Sequence, residues 1–505
     1  MNMRIIACGA GLVLFAAGLT AQQATLTLRQ ALESTLGLHP ELGIRRQEVV
    51  KREGVRREIT GTFDRLYQSG LQQRYTPIPI SVPGSTYNSG VNFTAIDFSA
   101  SRLSRSGVSM GPSIGLSRTR DNLFNPDGIS QARVAYEVTV PLRRNPGQLA
   151  SASEISAAID VRASRFDVSQ TGSALLASTA VRYWELTGAL QLLQVAVGSE
   201  QRGRTFLDTT RELIAADRIP RNDINLVNAN LAGRAANRID AQQDVTAARQ
   251  ALAFAMGLAP EGMLIALDPA EDLPETELTP DAANARRYVD LALMQRADYR
   301  AAAQRVESAR SLRPAAQNQT RPSIDLVFSS GYSGLNAGAA PTSFPASLFR
   351  GVSGADVVAG VRYQFAPANN TARGRLEQVE ASIRQTELLA TNLARTIAAD
   401  VTVAVQGVRN AALRLQSARE SVAAFQEALK AEREKYTLGF GSLVDILTTE
   451  DRLTQALAIQ VRARVEYAVE LARLRLATGT IVSPDEDPAA VDAARFRTLP
   501  EIFRR

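Results

Sequence analysis

The sequence predicts a mainly α-helical chain with a smaller β part, built from one unit used twice, and three observations carry this. First, Arg211-Glu212, Asn222-Asp223-Ile224 and Gly257 recur as Arg433-Glu434, Val444-Asp445-Ile446 and Gly479, always 222 positions downstream. Leu36-Gly37-Leu38-His39-Pro40-Glu41-Leu42 likewise lies over Leu293-Met294-Gln295-Arg296-Ala297-Asp298-Tyr299 at an offset of 257. A single repeat of so long a unit is a tandem duplication rather than a solenoid. Second, proline-free stretches such as Arg373–Tyr436 carry apolar residues at three- and four-residue steps. Third, the period switches to two between those stretches, which is the pattern of strands.

Residues 1–21 read as an export signal: Arg4, an apolar stretch from Ile5 to Leu19, and a small residue, Ala21, before Gln22-Gln23. The one cysteine, Cys8, would leave with it, so the exported chain is expected to have no disulfide and no thiol chemistry. The formal charge of +6 includes Arg4. A basic balance can signal nucleic acid, but an exported chain rarely meets any. The one histidine, His39, precedes a proline at a helix start and has no second histidine or cysteine to complete a metal or nucleophile site. Neither a cofactor nor enzyme chemistry is expected. After residue 24 no run of eighteen apolar residues occurs, so no membrane-spanning helix is predicted.

The first unit covers 22–270. Leu28, Leu32, Leu36 and then Leu42 and Val49 space two helices over 26–37 and 41–59, with Pro40 where a first helical turn accepts it. A β excursion of about 62–142 follows, alternating over 63–75, 92–101, 108–117 and 133–140 and closed by Pro141. A long helical hairpin then spans 150–256, with Pro220 in its turn. The second unit, 271–479, repeats the plan with helices over 283–295 and 298–317. Its β excursion, about 320–367, alternates over 323–329 and 357–365 around a loop rich in Gly, Ser, Ala and Pro. Its hairpin, 369–478, begins with a run of sixty-odd residues, roughly 95–100 Å of helix at 1.5 Å per residue. Gly439 and Gly441 break that run, and 444–477 returns antiparallel. The first excursion is about thirty residues the longer and holds either an extra hairpin or a larger loop. The tail, 480–505, carries Pro484, Pro488 and Pro500 and reads as irregular.

Four to six strands of about ten residues suit a bilayer-spanning β segment. They are too few to close a barrel, and open sheet edges cannot face lipid. If these strands lie in a membrane, several copies must share one membrane β-barrel. Phe63, Tyr67, Tyr332 and Phe349 could form its interfacial girdle or simply pack between strands.

Tyr436-Thr437-Leu438-Gly439-Phe440-Gly441-Ser442-Leu443-Val444-Asp445-Ile446-Leu447 closely resembles the periplasmic turn of the TolC-like outer-membrane efflux proteins. That pattern is Tyr, two residues, Gly, a variable stretch, then aliphatic-Asp-aliphatic-Leu. Leu26-Thr27-Leu28-Arg29-Gln30-Ala31-Leu32, His39-Pro40-Glu41-Leu42, Thr320-Arg321-Pro322-Ser323-Ile324 and Val140-Pro141-Leu142 are similar to family segments in the same order. The resemblance implies a trimeric α-barrel/β-barrel tunnel, a homotrimer whose protomers each give four strands to a twelve-stranded barrel in the outer membrane, embedded in its lipid. It implies long helices in the periplasm, and passive export in a tripartite efflux or secretion system. A periplasmic adaptor (membrane fusion protein) and an inner-membrane pump are the implied partners.

Carried over by position, the family's closed-gate residues fall on Asp223, Tyr436 and Asp445, and its adaptor-contact turn on Pro220, Gly439 and Gly441. Local readings stand beside these. Asp223 and Asp445 suit helix N-caps or first-turn acids, Tyr436 suits helix-end packing, and the glycines suit φ > 0. The chain departs from some members at Gly441, where they carry arginine, and at Thr448, where they carry a second aspartate. Arg218 or Arg221 could supply the missing charge. A second class fits part of the pattern: an exported periplasmic adaptor or scaffold with helical hairpins.

Overall fold

The computed structural model describes residues 24–123, 125–216, 219–264, 267–274, 279–280, 284–337, 346–349, 351–438, 440–482 and 492–501. The expected export signal, Arg218 and Gly439 lie outside the described residues.

Two very long helical hairpins dominate. In the first, α3 (Pro146–Ala215) runs down and α4 (Asp223–Ala255) returns. In the second, α7 (Asn370–Thr437) runs down and α8 (Leu443–Ala477) returns. At 1.5 Å per residue, α3 with its 70 residues and α7 with its 68 each reach about 100 Å. The shorter helices α1 (Leu28–Leu38) and α2 (Pro40–Thr60) precede the first β excursion, and α5 (Ala285–Gln295) and α6 (Ala297–Gln319) precede the second. α2 and α6 pack along the upper half of α3, where α6 also meets α7, while α4 and α8 occupy the lower half, so the rods stay bundled along their length.

The two units meet the chain at equivalent corners. His39 and Arg296, the N-caps of α2 and α6, share one extended backbone conformation (φ −67°, ψ 121° and φ −65°, ψ 124°). Against them sit Gly257 and Gly479, with φ of +72° and +69°. A Cβ on Gly257 would lie 2.5 Å from His39 Cα, and one on Gly479 2.8 Å from the Arg296 nitrogen. Both the left-handed backbone and the close approach require glycine. His39 Nδ1 accepts from the Glu41 backbone N–H at 3.2 Å, so its job is to cap a helix.

Halfway along α3 the bundle has a waist. Here β1 (Ala24–Leu26) pairs in parallel with β6 (Leu267–Pro269), a strand after α4. Trp184 and Tyr183 are fully buried with Leu28, Leu32, Leu176, Leu252 and Phe496. The Tyr183 hydroxyl donates to Leu26 O at 3.0 Å and accepts from the Glu271 N–H at 3.1 Å, and burial pushes its pKa up to about 12. Within the tail, a turn at Ala493–Arg497 seats Phe496 in this core, where the prolines suggest irregular chain. Arg475 of α8 donates to Thr498 O, Thr498 Oγ1 and Leu499 O, at 2.8 to 3.0 Å. Sequence reading missed this clasp and the β1–β6 pair, whose strands are too short to show a period.

The sheet departs from the resemblance. Among the described residues it has six strands, in the order β2 (Arg65–Val82), β3 (Ser85–Leu103), β4 (Ser109–Asp121), β5 (Asn125–Pro141), β7 (Ser323–Ala337) and β8 (Val352–Gln364), with every neighbour antiparallel. The greater length of the first excursion is therefore an extra hairpin, and each copy presents six strands where four were implied. Of the aromatics weighed for a girdle, Phe63 is buried beneath the Arg105 guanidinium, 4.8 Å from its ring, and Phe349 lies in the β7–β8 connection. Tyr67 and Tyr332 sit exposed on strands. α7 contains an 18-residue stretch of mean hydropathy 1.3, long and apolar enough to cross a membrane by length and composition alone. Ile397, Val401, Val405 and Val408 of that helix are buried against α5 and α8.

Candidate functional site

The turns of both hairpins come together at the lower end. α4 starts at Asp223, whose N–H donates to Pro220 O at 3.2 Å; Asn222 is the N-cap. α8 starts at Leu443, capped by Ser442, whose side chain accepts from the Val444 N–H at 3.2 Å. Neither aspartate is the cap itself. Asp223 and Asp445 are first-turn acids, where the positive end of the helix dipole favours a carboxylate. Pro220 and Asp445 are exposed, and Asp223 is half-buried.

Tyr436 bridges the hairpins. Its ring lies 6.2 Å from that of Phe206 on α3, tilted by 50°. Around it pack Leu207, Ile224 and Val227 of the first hairpin and Leu443 and Leu447 of the second. Its hydroxyl is buried and has no hydrogen-bond partner among the described residues. Burial first, and then the negative charge of nearby Asp223, push the Tyr436 pKa up. The structure thus brings Tyr436 and Asp223 together as neighbours through charge and packing. Asp445 stays apart, close enough only to help Glu432 raise the Lys435 pKa.

Gly441 corrects the expectation of a left-handed turn, since it is not among the glycines with positive φ. A Cβ there would lie 2.8 Å from the Tyr436 nitrogen and 3.0 Å from its Cα. The chain needs glycine because the turn folds back onto the end of α7, which also excludes an arginine. Arg221 is exposed in the opposite turn.

Above the tip is a cluster that sequence reading did not find. Glu450 of α8 is only 4% exposed, yet carries a carboxylate. It pairs with Arg202 of α3, with Arg433 of α7 at 3.1 Å and with Arg234 of α4 at 3.8 Å. Arg234, also buried, donates to Asp451 at 3.1 Å, to Asn230 at 2.7 Å and to Ser199 O at 3.1 Å. One buried acid therefore ties all four long helices and both hairpins together. Farther up, Glu200 of α3 pairs with Arg204 at 2.5 Å and with Arg238 of α4 at 2.7 Å, and these hold its pKa below the usual carboxylate range. The only signal in the sequence was Arg433, a marker of the duplication; nothing local says that Glu450 is buried.

With this geometry in hand, likenesses to known proteins can be placed. Residues 288–480, which include α7, the second tip turn and α8, match the family model for outer membrane efflux protein. In fold the chain is similar to the outer-membrane channel OprN, at 18% identity and a TM-score of 0.66 over 90% of each chain. It is similar to the CmeC outer membrane channel of Campylobacter jejuni, at 12% identity and 0.66, covering 94% of this chain and 90% of that one. It is also similar to the open state of the MtrE outer membrane channel of Neisseria gonorrhoeae, at 16% identity and 0.62, over 90% and 88%. No curated protein sequence matches the chain.

Proposed function

We infer that this chain, a member of the TolC-like outer-membrane efflux protein family, is the outer-membrane channel of a tripartite efflux system, its helices projecting into the periplasm. The observation that carries the reading is the joining of a sheet with one apolar and one polar face to rods about 100 Å long. A globule has no use for such rods; a duct across the periplasm does. Substrate passes through passively, and the energy comes from an inner-membrane pump.

Three copies complete the duct. The sheet has two open edges, which lipid does not tolerate, and α7 exposes Leu388, Leu389, Val403 and Leu413 along its length, a stripe suited to a neighbouring copy. The tip is the gate. Tyr436 and Asp223 hold the second hairpin against the first, and three copies of Asp445 on one axis would repel each other and favour cations. Exposed Leu438, Phe440 and Val444, beside Pro220 and Gly441, offer the apolar surface that a periplasmic adaptor docks on; Gly439, outside the described residues, belongs to the same turn by sequence.

The test is purification followed by recording in planar bilayers. A detergent-dependent trimer giving mostly closed, cation-favouring pores is expected. A monomer that stays soluble without detergent contradicts the reading and favours an exported adaptor instead.

A further inference from the structure

We propose that three copies of this chain close an eighteen-stranded barrel, by pairing β8 of each copy with β2 of the next, and not the twelve-stranded barrel implied by the family. The inference rests on the three-copy reading above and concerns what each copy contributes.

Two rows of directly opposed residues cross all six strands without a break. One runs Arg65, Arg102, Met110, Val138, Phe328, Ala359, and the other Gln72, Ala95, Ser117, Gln131, Leu335, Val352. Between them lies a band about eight residues tall, some 25 Å at 3.3 Å per residue, close to the apolar height of an outer-membrane barrel. The extra hairpin is therefore in register with the rest and is not a flap beside it.

The faces agree as well. The row Ser69, Phe98, Ile114, Val134, Tyr332, Ala355 is apolar apart from its serine, and Leu71, Ile96, Leu116 and Ala132 continue the same face. The opposite face carries Gln68, Ser99, Ser113, Ala135, Gly331, Asp356 in one row and Gly70, Asp97, Gly115, Arg133, Ser333, Gly354 in the next. There Arg133 pairs with Asp356 at 2.7 Å. Alternation with one apolar and one polar face is what lipid outside and water inside demand, and β2 and β3 obey it as fully as β7 and β8.

The edges fit each other. Six strands with alternating direction leave β2 and β8 antiparallel, so joining the β8 of one copy to the β2 of the next keeps every pair antiparallel. Twelve of the thirteen residues of β8 are exposed in a single copy, as expected of a strand still missing a partner. Barrel diameter grows roughly linearly with strand number, so this barrel is roughly one and a half times as wide as a twelve-stranded one. Its lumen is lined with small and polar side chains, and admits bulkier cargo than the tip does.

End-on cryo-electron microscopy of the detergent-solubilised trimer counts the strands. Eighteen are expected; a trimer with twelve overturns the proposal and leaves the channel reading intact, whereas a dimer with twelve overturns both. A thiol test addresses the seam. Cys8 is the one cysteine of the sequence and lies in the expected signal, so introduced pairs report alone. Gln68→Cys or Gln72→Cys combined with Gly354→Cys or Val358→Cys should give a covalent ladder up to trimer on oxidation. Ser113→Cys or Ser117→Cys with Val358→Cys should not. A ladder from the β4–β8 combinations alone would show that β2 and β3 stand outside the barrel.

Discussion

The waist and the tip of this molecule are held by opposite means. At the waist, Trp184, Tyr183, Leu28, Leu252 and Phe496 form one dry cluster that draws on both units and the tail. At the tip the apolar clusters are smaller, one around Tyr436, Leu207, Val227, Leu443 and Leu447, and beside them the helices are joined by the Glu450 carboxylate and three arginines. Apolar burial is non-directional and tolerates no reversible opening without exposing large areas to water. A buried ion pair is different: desolvation offsets much of its attraction, so it contributes little net stability while fixing one geometry. On the proposed channel reading, the waist is the permanent joint and the tip the joint that is released.

Breaking the waist should have the largest effect. Trp184→Ala removes a fully buried indole and should cost about 3–5 kcal/mol, read as a lower melting temperature of the detergent-solubilised protein. Pores of unchanged thermal stability would show that the waist is not the permanent joint.

Breaking the ionic cluster should act on opening more than on folding. Glu450→Gln leaves Arg202 and Arg433 without their acid, though Arg234 keeps Asp451, Asn230 and Ser199 O. A charged hydrogen bond contributes about 1.5–3 kcal/mol, so the open fraction should rise about ten- to a hundred-fold with little change in melting.

Tyr436 sharpens the comparison, because its hydroxyl has no partner among the described residues of one copy. Tyr436→Ala should raise open probability through lost packing. Tyr436→Phe separates packing from hydrogen bonding: near-normal closure is expected if the ring alone holds the tip, and opening equal to the alanine variant would reveal a partner in another copy. Asp223→Ala should open the tip by a smaller factor, with tyrosine fluorescence and conductance read together.

The smallest effect concerns pH. Arg204 and Arg238 depress the folded pKa of Glu200. A carboxylate with a depressed folded pKa stabilises above its unfolded pKa, and that contribution is lost as pH falls through the folded value. Acid below about pH 4 should thus loosen the α3–α4 pair, followed by amide exchange around Glu200, and Glu200→Gln should flatten that dependence.

The long rods were legible because seventy residues of unbroken helical spacing leave no other option, and the turns because Pro220, Gly439 and Gly441 punctuate them. Gly257 and Gly479 even marked the equivalent corners. The strand count was only bracketed. β2 alternates weakly through Gln72-Gln73-Arg74, and Pro77 and Pro79 obscure its upper half, so one longer excursion read equally as loop or hairpin. The Glu450 cluster was invisible because burial of a charge depends on three arginines between 17 and 248 positions away in the chain. Phe496 was hidden for the same reason, an apolar residue in a proline-rich tail whose partners lie near residues 28 and 184.

Single-channel recording of the wild-type protein beside Glu450→Gln tests the central claim most directly. The account predicts rare, cation-favouring openings in the first and openings about ten-fold or more commoner in the second. Pores whose open fraction is the same in both, or no pores in either, would contradict it.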